Sequence, residues 1–110
     1  MAKYIKYNPN VPGITNVLVG KNESQQTGNI SKISICNERP ITSAGVTLVD
    51  IYLYDGDSSN NIYIIKQVEI PEGTALVLED NLSFNISKYS LKINATDTAA
   101  GGVELSIIIK

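Results

Sequence analysis

The chain has 110 residues, of which 43% are hydrophobic and 18% are charged, and its net charge is −2. This length predicts one domain, and the composition argues against a disordered chain. The nine basic residues, of which Arg39 is the single arginine, are scattered from Lys3 to Lys110. Because nucleic-acid-binding proteins usually concentrate lysine and arginine on one face, no nucleic-acid partner is expected.

The chain contains no histidine and a single cysteine, Cys36. It therefore lacks the commonest general base and the commonest metal ligand, and a cysteine nucleophile would have no imidazole partner. A single cysteine cannot form a disulfide within the chain. Cys36 lies in a strand-like segment, where a small residue packs well. We expect a protein that is not an enzyme and that uses no cofactor and no metal.

The first ten residues contain no apolar stretch of the kind found in secretory signals. No apolar run approaches the length of a membrane-spanning helix. These features predict a protein that is made in the cytoplasm and has no membrane partner.

Turn-forming residues divide the chain into short β-like segments, and no helical period persists. The predicted strands are residues 4–7, 14–19, 30–37, 46–55, 62–70, 74–79, 82–86, 89–95 and 103–109. Residues 1–12 are expected to form an N-terminal arm or edge strand, and residues 13–110 a single domain. The pattern favours an all-β fold, an antiparallel β-sandwich of jelly-roll or Ig-like type with about eight strands and almost no helix.

The best-defined hairpin joins residues 46–55 to residues 62–70. A loop of residues 56–61 would place Asp55 opposite Ile62. One face of the hairpin would then be apolar and belong to the core. That face carries Val49, Ile51, Leu53, Ile64, Val68 and Ile70. Lys66 would fall on the same face, which indicates either a side chain that reaches solvent at an edge or a shifted register.

The opposite face of this hairpin is less polar than a solvent-facing sheet usually is. It carries Leu48, Asp50, Tyr52, Tyr54, Tyr63, Ile65, Gln67 and Glu69. One interpretation is that aromatic cross-strand pairs stabilise the sheet. The other is an assembly interface, with a sugar-binding platform as a special case that the absence of tryptophan weakens. We predict a protein interface at Tyr52, Tyr54, Tyr63 and Ile65.

The acidic residues do not form a recognisable site. Asp55 and Asp57 match the first ligand spacing of a calcium loop, but Asn60 and Lys66 stand where that loop needs glycine and glutamate. A polar hairpin loop is therefore expected there.

The remaining carboxylates are also poorly placed for acid–base chemistry. Glu79 and Asp80 are neighbours, and in a strand they would point to opposite faces. Glu69 and Glu72 flank Pro71 and are predicted to be solvated turn charges.

The end of the chain contains two strongly apolar strands. Pro71 lacks an N–H and ends a ladder, whereas Gly73 has the backbone freedom for a reversal. In residues 75–78, "ALVL", side chains alternate, and we expect burial on both faces. The C-terminal segment "VELSIIIK" is apolar on one side and has Ile108 on the other, which indicates a central strand or one covered by a partner.

The segments "IPEGTALVLEDNLSFNISKYSLKI" and "VELSIIIK", with "GNISKISICNE" and "VTLVDIYLYDG" before them, resemble small structural proteins of tailed bacteriophages. The resemblance covers residues 28–110 and consists mostly of strands joined by a Pro-x-Gly turn and an acidic break. It implies a virion component that is made in the host bacterial cytoplasm. The expected role is a capsid decoration (cement) protein that forms a homo-oligomer and binds the major capsid protein or other virion subunits.

Two other roles remain open at this point. Tail, neck and fibre accessory proteins share the same type of sandwich, and a host-recognition module would bind surface glycans.

Overall fold

The computed structural model describes residues 3–7, 17–22, 29–39, 45–79, 81–97 and 103–110, and all regular structure in these ranges is β. The strands are β1 (Lys3–Tyr7), β2 (Val17–Val19), β3 (Asn29–Ile30), β4 (Ile33–Asn37), β5 (Val46–Asp55), β6 (Asn60–Pro71), β7 (Ala75–Leu78), β8 (Leu82–Ser83), β9 (Tyr89–Asp97) and β10 (Leu105–Ile109). The all-β prediction is confirmed, with ten strands rather than about eight.

Several predicted boundaries differ from the observed ones. The predicted strand 30–37 is split into β3 and β4 at Ser31 and Lys32, whose N–H groups both donate to the Lys110 carbonyl. Part of the predicted N-terminal arm is β1, an edge strand paired with β10. The rest of that arm, residues 1–2 and 8–12, lies outside the described residues, as do residues 14–16 of the second predicted strand.

The strands pair as one long antiparallel ribbon. β1 pairs with β10, β2 with β9, β3 with β8, β4 with β7 and β5 with β6. The ribbon then rolls up, so that β10 also pairs with β4 and β9 with β5. Two four-stranded sheets result, in the orders β1-β10-β4-β7 and β2-β9-β5-β6. Of the two sandwich types that the sequence left open, this connection is the jelly roll.

One hydrophobic cluster lies between the two sheets. Alternation along the central strands β4, β5, β9 and β10 sends most of their apolar side chains into it. Its fully buried members of greatest volume are Leu18, Ile35, Ile51, Ile70, Leu91, Ile93, Leu105, Ile107 and Ile109. The sequence pattern of period two therefore reflects two sheets that each cover one face of the other.

Strand β7 departs from its prediction on one face. Leu76 and Leu78 are half-buried and pack against the core, as expected. Ala75 and Val77 point away from the core and are exposed, Val77 to 42%. The expectation that this strand is buried on both faces is wrong, because the described residues place no layer over the outer side of its sheet.

The predicted register of the β5–β6 hairpin is confirmed at the end of the hairpin that lies away from the turn, and it is wrong near the turn. Val49 faces Val68, as predicted, but Asp55 faces Asn60 because the loop contains residues 56–59 only. Bulges on β6, opposite the segment from Val49 to Tyr52, contain the extra residues and account for the shorter loop. Such bulges are invisible to an alternation count, which assumes one residue on each strand for every residue on the other.

Gln67 forms the sharpest of these irregularities. Its φ angle is 52°, in the left-handed region, although it is not glycine. Its N–H donates to the Asp50 carboxylate at 2.6 Å. The side chain of Asp50 therefore satisfies a donor that the kinked ladder cannot. The shift also leaves Lys66 exposed, so it does not lie in the core face.

Buried polar groups connect two of the segments in which the chain crosses from one sheet to the other. The first crossing runs from β4 to β5, and the second runs from β6 to β7. Glu72 in the second crossing accepts from the Arg39 Nε at 3.1 Å and from the Gly45 N–H at 2.9 Å, both in the first crossing. Glu72 is only 6% exposed, so its prediction as a solvated turn charge is wrong. We call Arg39 and Glu72 the corner ion pair.

Asn37 extends this connection into the core. Its side-chain amide donates to the Thr47 hydroxyl at 3.1 Å and to the Ile70 carbonyl at 2.9 Å, and its oxygen accepts from the Arg39 N–H. Asn37 is fully buried. Each polar atom of this side chain has a hydrogen-bond partner, which offsets the cost of removing the amide from water. Asn37 therefore joins β4, β5 and β6 within the core.

The turn that places Glu72 is a four-residue turn from Pro71 to Thr74. The Thr74 N–H donates to the Pro71 carbonyl at 3.2 Å, and Gly73 has a φ angle of 76°. Glycine at the third position with positive φ is typical of a type II turn. The backbone freedom predicted for Gly73 is used here.

Replacing Gln67 with glycine should stabilise the protein. Glycine adopts the left-handed region without the steric cost that a side chain incurs, so Gln67→Gly is expected to raise the free energy of unfolding by roughly 0.5–1 kcal/mol. Glu69→Gly, at an exposed position of regular strand in β6, should lower it by about the same amount. Urea denaturation measures both. Equal losses in the two variants would contradict the bulge at Gln67.

Candidate protein-interface face

The outer side of the sheet β2-β9-β5-β6 carries the aromatic residues that the sequence analysis singled out. Along β5, the side chains of Thr47, Val49, Ile51, Leu53 and Asp55 are buried and those between them are half-exposed. Tyr52 and Tyr54 are therefore on the outer side, and Tyr63 joins them from β6. We call Tyr52, Tyr54 and Tyr63 the tyrosine face.

The pairing within this face differs from the predicted one, because the register with Asp55 opposite Ile62 would also place Tyr54 opposite Tyr63 and Tyr52 opposite Ile65. Tyr52 is in register with Tyr63, and their ring centroids are 5.4 Å apart with the ring planes tilted by 49°. Tyr54 faces Asn61, not Tyr63. The two tyrosines that meet thus form a tilted aromatic pair of the kind that favours a sheet.

Ile65, the fourth predicted interface residue, is not on this face. It is in register with Ile51, and it packs partly buried against the core cluster. Together with Ile64, Leu78 and Leu82 it lines a pocket of about 200 Å³ between the sheet edges. The same bulges that shortened the loop turned this side chain inward.

Two lysines complete the outer surface: Lys66, which the predicted register placed on the core face, and Lys92, which was not predicted to lie here. Lys92 on β9 places its Nζ 4.2 Å from the centre of the Tyr54 ring. Lys66 places its Nζ 4.7 Å from the centre of the Tyr63 ring. Both distances are within the range of a cation–π interaction. Lys92 could not be found from the hairpin alone, because β9 comes from a later part of the chain.

The surface that results is amphipathic. Tyr63 is 43% exposed, whereas Tyr52 and Tyr54 are half-buried among their neighbours. Asp50 and Glu69 lie at its margin, and Asp50 is already engaged by the Gln67 N–H. The three tyrosines and the scarcity of carboxylates among them are typical of the centre of a protein interface, whereas lysine is depleted there and belongs to the polar rim.

The loop that suggested calcium is organised around Asp55. The Asp57 N–H and the Ser58 hydroxyl donate to its carboxylate at 3.0 and 2.9 Å, and Lys88 lies 3.9 Å away. The Ser58 hydrogen bond is the main cause that lowers the Asp55 pKa, with smaller contributions from the Asp57 N–H and Lys88. A lowered folded-state pKa means that this stabilisation is present above the ordinary pKa and is lost as the pH falls through the folded-state value.

The other candidate groups lie apart from the tyrosine face. Cys36 is exposed on the outer side of β4, in register with Ser106 and Ala75. Glu79 is exposed at the end of β7, and Asp80 lies outside the described residues.

Within the ranges that the structure describes, no three or more His, Cys, Asp or Glu side chains are grouped so that they could hold a metal ion. Within the same ranges, no helix has the length and apolar character needed to cross a membrane.

Comparison of the chain with protein-family models, with curated proteins and with solved structures finds no match.

A double-mutant cycle distinguishes the observed tyrosine pairing from the one expected from alternation. Tyr52→Ala combined with Tyr63→Ala should show a coupling energy of about 0.5–1.5 kcal/mol, because the two rings touch. Tyr54→Ala combined with Tyr63→Ala is the matched control and should be additive within about 0.5 kcal/mol. Both cycles are measured by urea denaturation. The reverse result would restore the register in which Tyr54 opposes Tyr63.

Proposed function

We propose that this chain is a non-enzymatic structural protein of a tailed-phage virion, a capsid decoration protein that binds the assembled shell. The observation that carries the proposal is the tyrosine face, an aromatic surface with two lysines on the outer side of a sheet whose inner side already serves the core. The resemblance of residues 28–110 to phage structural proteins supports it. The jelly-roll connection is also found in viral capsid domains, although a fold alone does not assign a function.

The chemistry of the tyrosine face favours a protein partner that carries carboxylates. Lys66 and Lys92 are the charged groups above the rings, and tyrosine supplies large contact area with little loss of conformational freedom. A specific interface buries about 1,200–2,000 Å² in total, to which this face would contribute the aromatic centre. The lysines would govern the rate of association and its dependence on salt more than the final affinity.

The same geometry disfavours a sugar ligand at this place. A sugar stacks on the flat face of an aromatic ring, and a lysine Nζ already lies 4.2 Å from the centre of the Tyr54 ring and 4.7 Å from that of Tyr63. A sugar would have to displace both ammonium groups. We therefore prefer binding to the shell over the glycan-binding alternative.

The proposal is tested by loading of variants onto phage particles that lack the endogenous chain. Tyr63→Ala with Lys66→Ala removes one ring and its ammonium group and should lower occupancy at least tenfold, which corresponds to about 1.4 kcal/mol. Tyr4→Ala is the matched control, because Tyr4 is a tyrosine that is 73% exposed on the outer side of the other sheet. Quantitative mass spectrometry of purified particles gives the occupancy, and circular dichroism shows that each variant is folded.

Each other outcome points elsewhere. A folded double variant that loads at wild-type occupancy would exclude the tyrosine face as the contact. Labelling at the tail or neck in electron micrographs would replace decoration with an accessory role. Absence of the chain from particles, together with binding to a glycan array that Tyr52→Ala abolishes, would favour host recognition.

A further inference from the structure

The outer edge of β7 is an unprotected sheet edge. β7 is the last strand in the order β1-β10-β4-β7, and among the described residues no strand pairs with its other side. Its four residues, Ala75 to Leu78, are all apolar and uncharged. An exposed edge of this kind is a template for pairing with another strand.

The other three edges of the two four-stranded sheets carry features that discourage pairing. β1 has two lysines, Lys3 and Lys6, and β2 is only three residues long. β6 is kinked at Gln67, carries Lys66 next to the kink and ends at Pro71. Charges, bulges, proline and short length are the usual means by which proteins block their edges. β7 has only four residues, but it carries no charge, no bulge and no proline.

The backbone of β7 presents hydrogen-bonding groups at this edge. The Asn37 N–H donates to the Thr74 carbonyl at 2.8 Å, which directs the carbonyl of Thr74 toward β4. Alternation along a strand then turns the N–H and C=O groups of Leu76 and Leu78 toward β4 and those of Ala75 and Val77 away from it. Two residues therefore offer a donor and an acceptor each to a strand outside the sheet.

We propose that β7 pairs antiparallel with β7 of a second copy of this chain across a two-fold axis, joining two four-stranded sheets into one. A contact about a two-fold axis requires a surface that is complementary to itself. An uncharged apolar edge meets this requirement, because two copies of it do not repel each other. The pairing uses the open β7 edge of both copies, so the assembly ends at the dimer.

The side chains restrict the register of this pairing. Opposed residues in an antiparallel pair lie on the same face, so outward Ala75 and Val77 must oppose outward residues and Leu76 an inward one. With Leu76 on the two-fold axis, Ala75 of each chain faces Val77 of the other. This register makes four hydrogen bonds with residues of β7 alone and leaves the charged Glu79 outside the pair. The two Leu76 side chains meet on the core side, where apolar contact is favourable.

The dimer and the tyrosine face use different sheets. The tyrosine face is on β2-β9-β5-β6, and the proposed dimer extends β1-β10-β4-β7. Dimerisation can therefore succeed or fail independently of binding to the shell.

The decisive variant is Ala75→Pro. Proline removes an N–H that points to the open edge and none that the β4–β7 ladder uses, so the domain should fold while two of the four intermolecular hydrogen bonds are lost. Ala75→Ser is the matched control at the same position, because it keeps the N–H. Analytical ultracentrifugation over a range of concentrations should show a dimer for the wild type and Ala75→Ser, and at least a tenfold higher dissociation constant for Ala75→Pro.

A second variant and a direct measurement keep the proposal testable if the proline variant does not fold. Val77→Lys places a charge at the edge and should also yield monomer. Amide hydrogen exchange of the wild type should protect the N–H groups of Ala75 and Val77 in the dimer. The proposal is overturned by a wild-type monomer at concentrations up to about 1 mM, or by a dimer in which these two amides exchange freely. It is likewise overturned if the two amides become protected only on phage particles, since another protein would then occupy the edge.

Discussion

The corner ion pair is the interaction on which the arrangement of this molecule depends most. A jelly roll is a ribbon that crosses between two sheets at every corner, and at each crossing the ladder of backbone hydrogen bonds is interrupted. Here Arg39 on one crossing and Glu72 on another bind each other at 3.1 Å, and both are almost fully buried. A buried charge that loses its partner is costly, so the two crossings are stable only when they lie together.

Both proposed surfaces are positioned by this corner. Glu72 lies between Pro71, the last residue of β6, and Gly73, and β7 begins two residues later. The ion pair therefore helps to fix the point at which the chain enters β7, and the pairing of β7 with β4 leaves the other edge of β7 open. On the other sheet, Asn37 binds Thr47 and the Ile70 carbonyl at the same corner, which aligns β5 and β6 at the end where their register is regular. The tyrosine pair lies further along that same hairpin, beyond the bulges.

The sequence was sufficient for the class of fold because alternation is a local signal. Buried and more exposed side chains alternate along β4, β5 and β10 and along β9 from Ser90 to Thr96, and the sequence predicted strands over all four segments, with β4 joined to β3. The faces of β7 could be assigned for the same reason. What alternation cannot reveal is an extra residue on one strand. Gln67 adopts a positive φ angle without being glycine, so nothing in the local sequence marked the irregularity that moved Ile65 to the core side.

The burial of Glu72 was missed for a different reason. A glutamate between proline and glycine has the composition of an exposed turn, and its partner Arg39 is 33 residues earlier in the chain. Lys92, which covers the Tyr54 ring, is likewise supplied by a strand far from β5 in sequence. The burial and contacts of a charged residue can be predicted only when the strands that carry its partners are known. The energy of a charge depends on its neighbours more than on its own residue type.

A double-mutant cycle with Arg39→Met and Glu72→Gln tests whether the corner ion pair holds the two sheets in their observed relation. Each single substitution is predicted to lower the free energy of unfolding by about 3–5 kcal/mol, because it leaves a buried charge without the opposite charge that faces it in the wild type. The double variant should lose less than the sum, with a coupling of at least about 1 kcal/mol in urea denaturation. Single losses below about 1 kcal/mol that simply add would identify an ordinary surface pair and contradict the account.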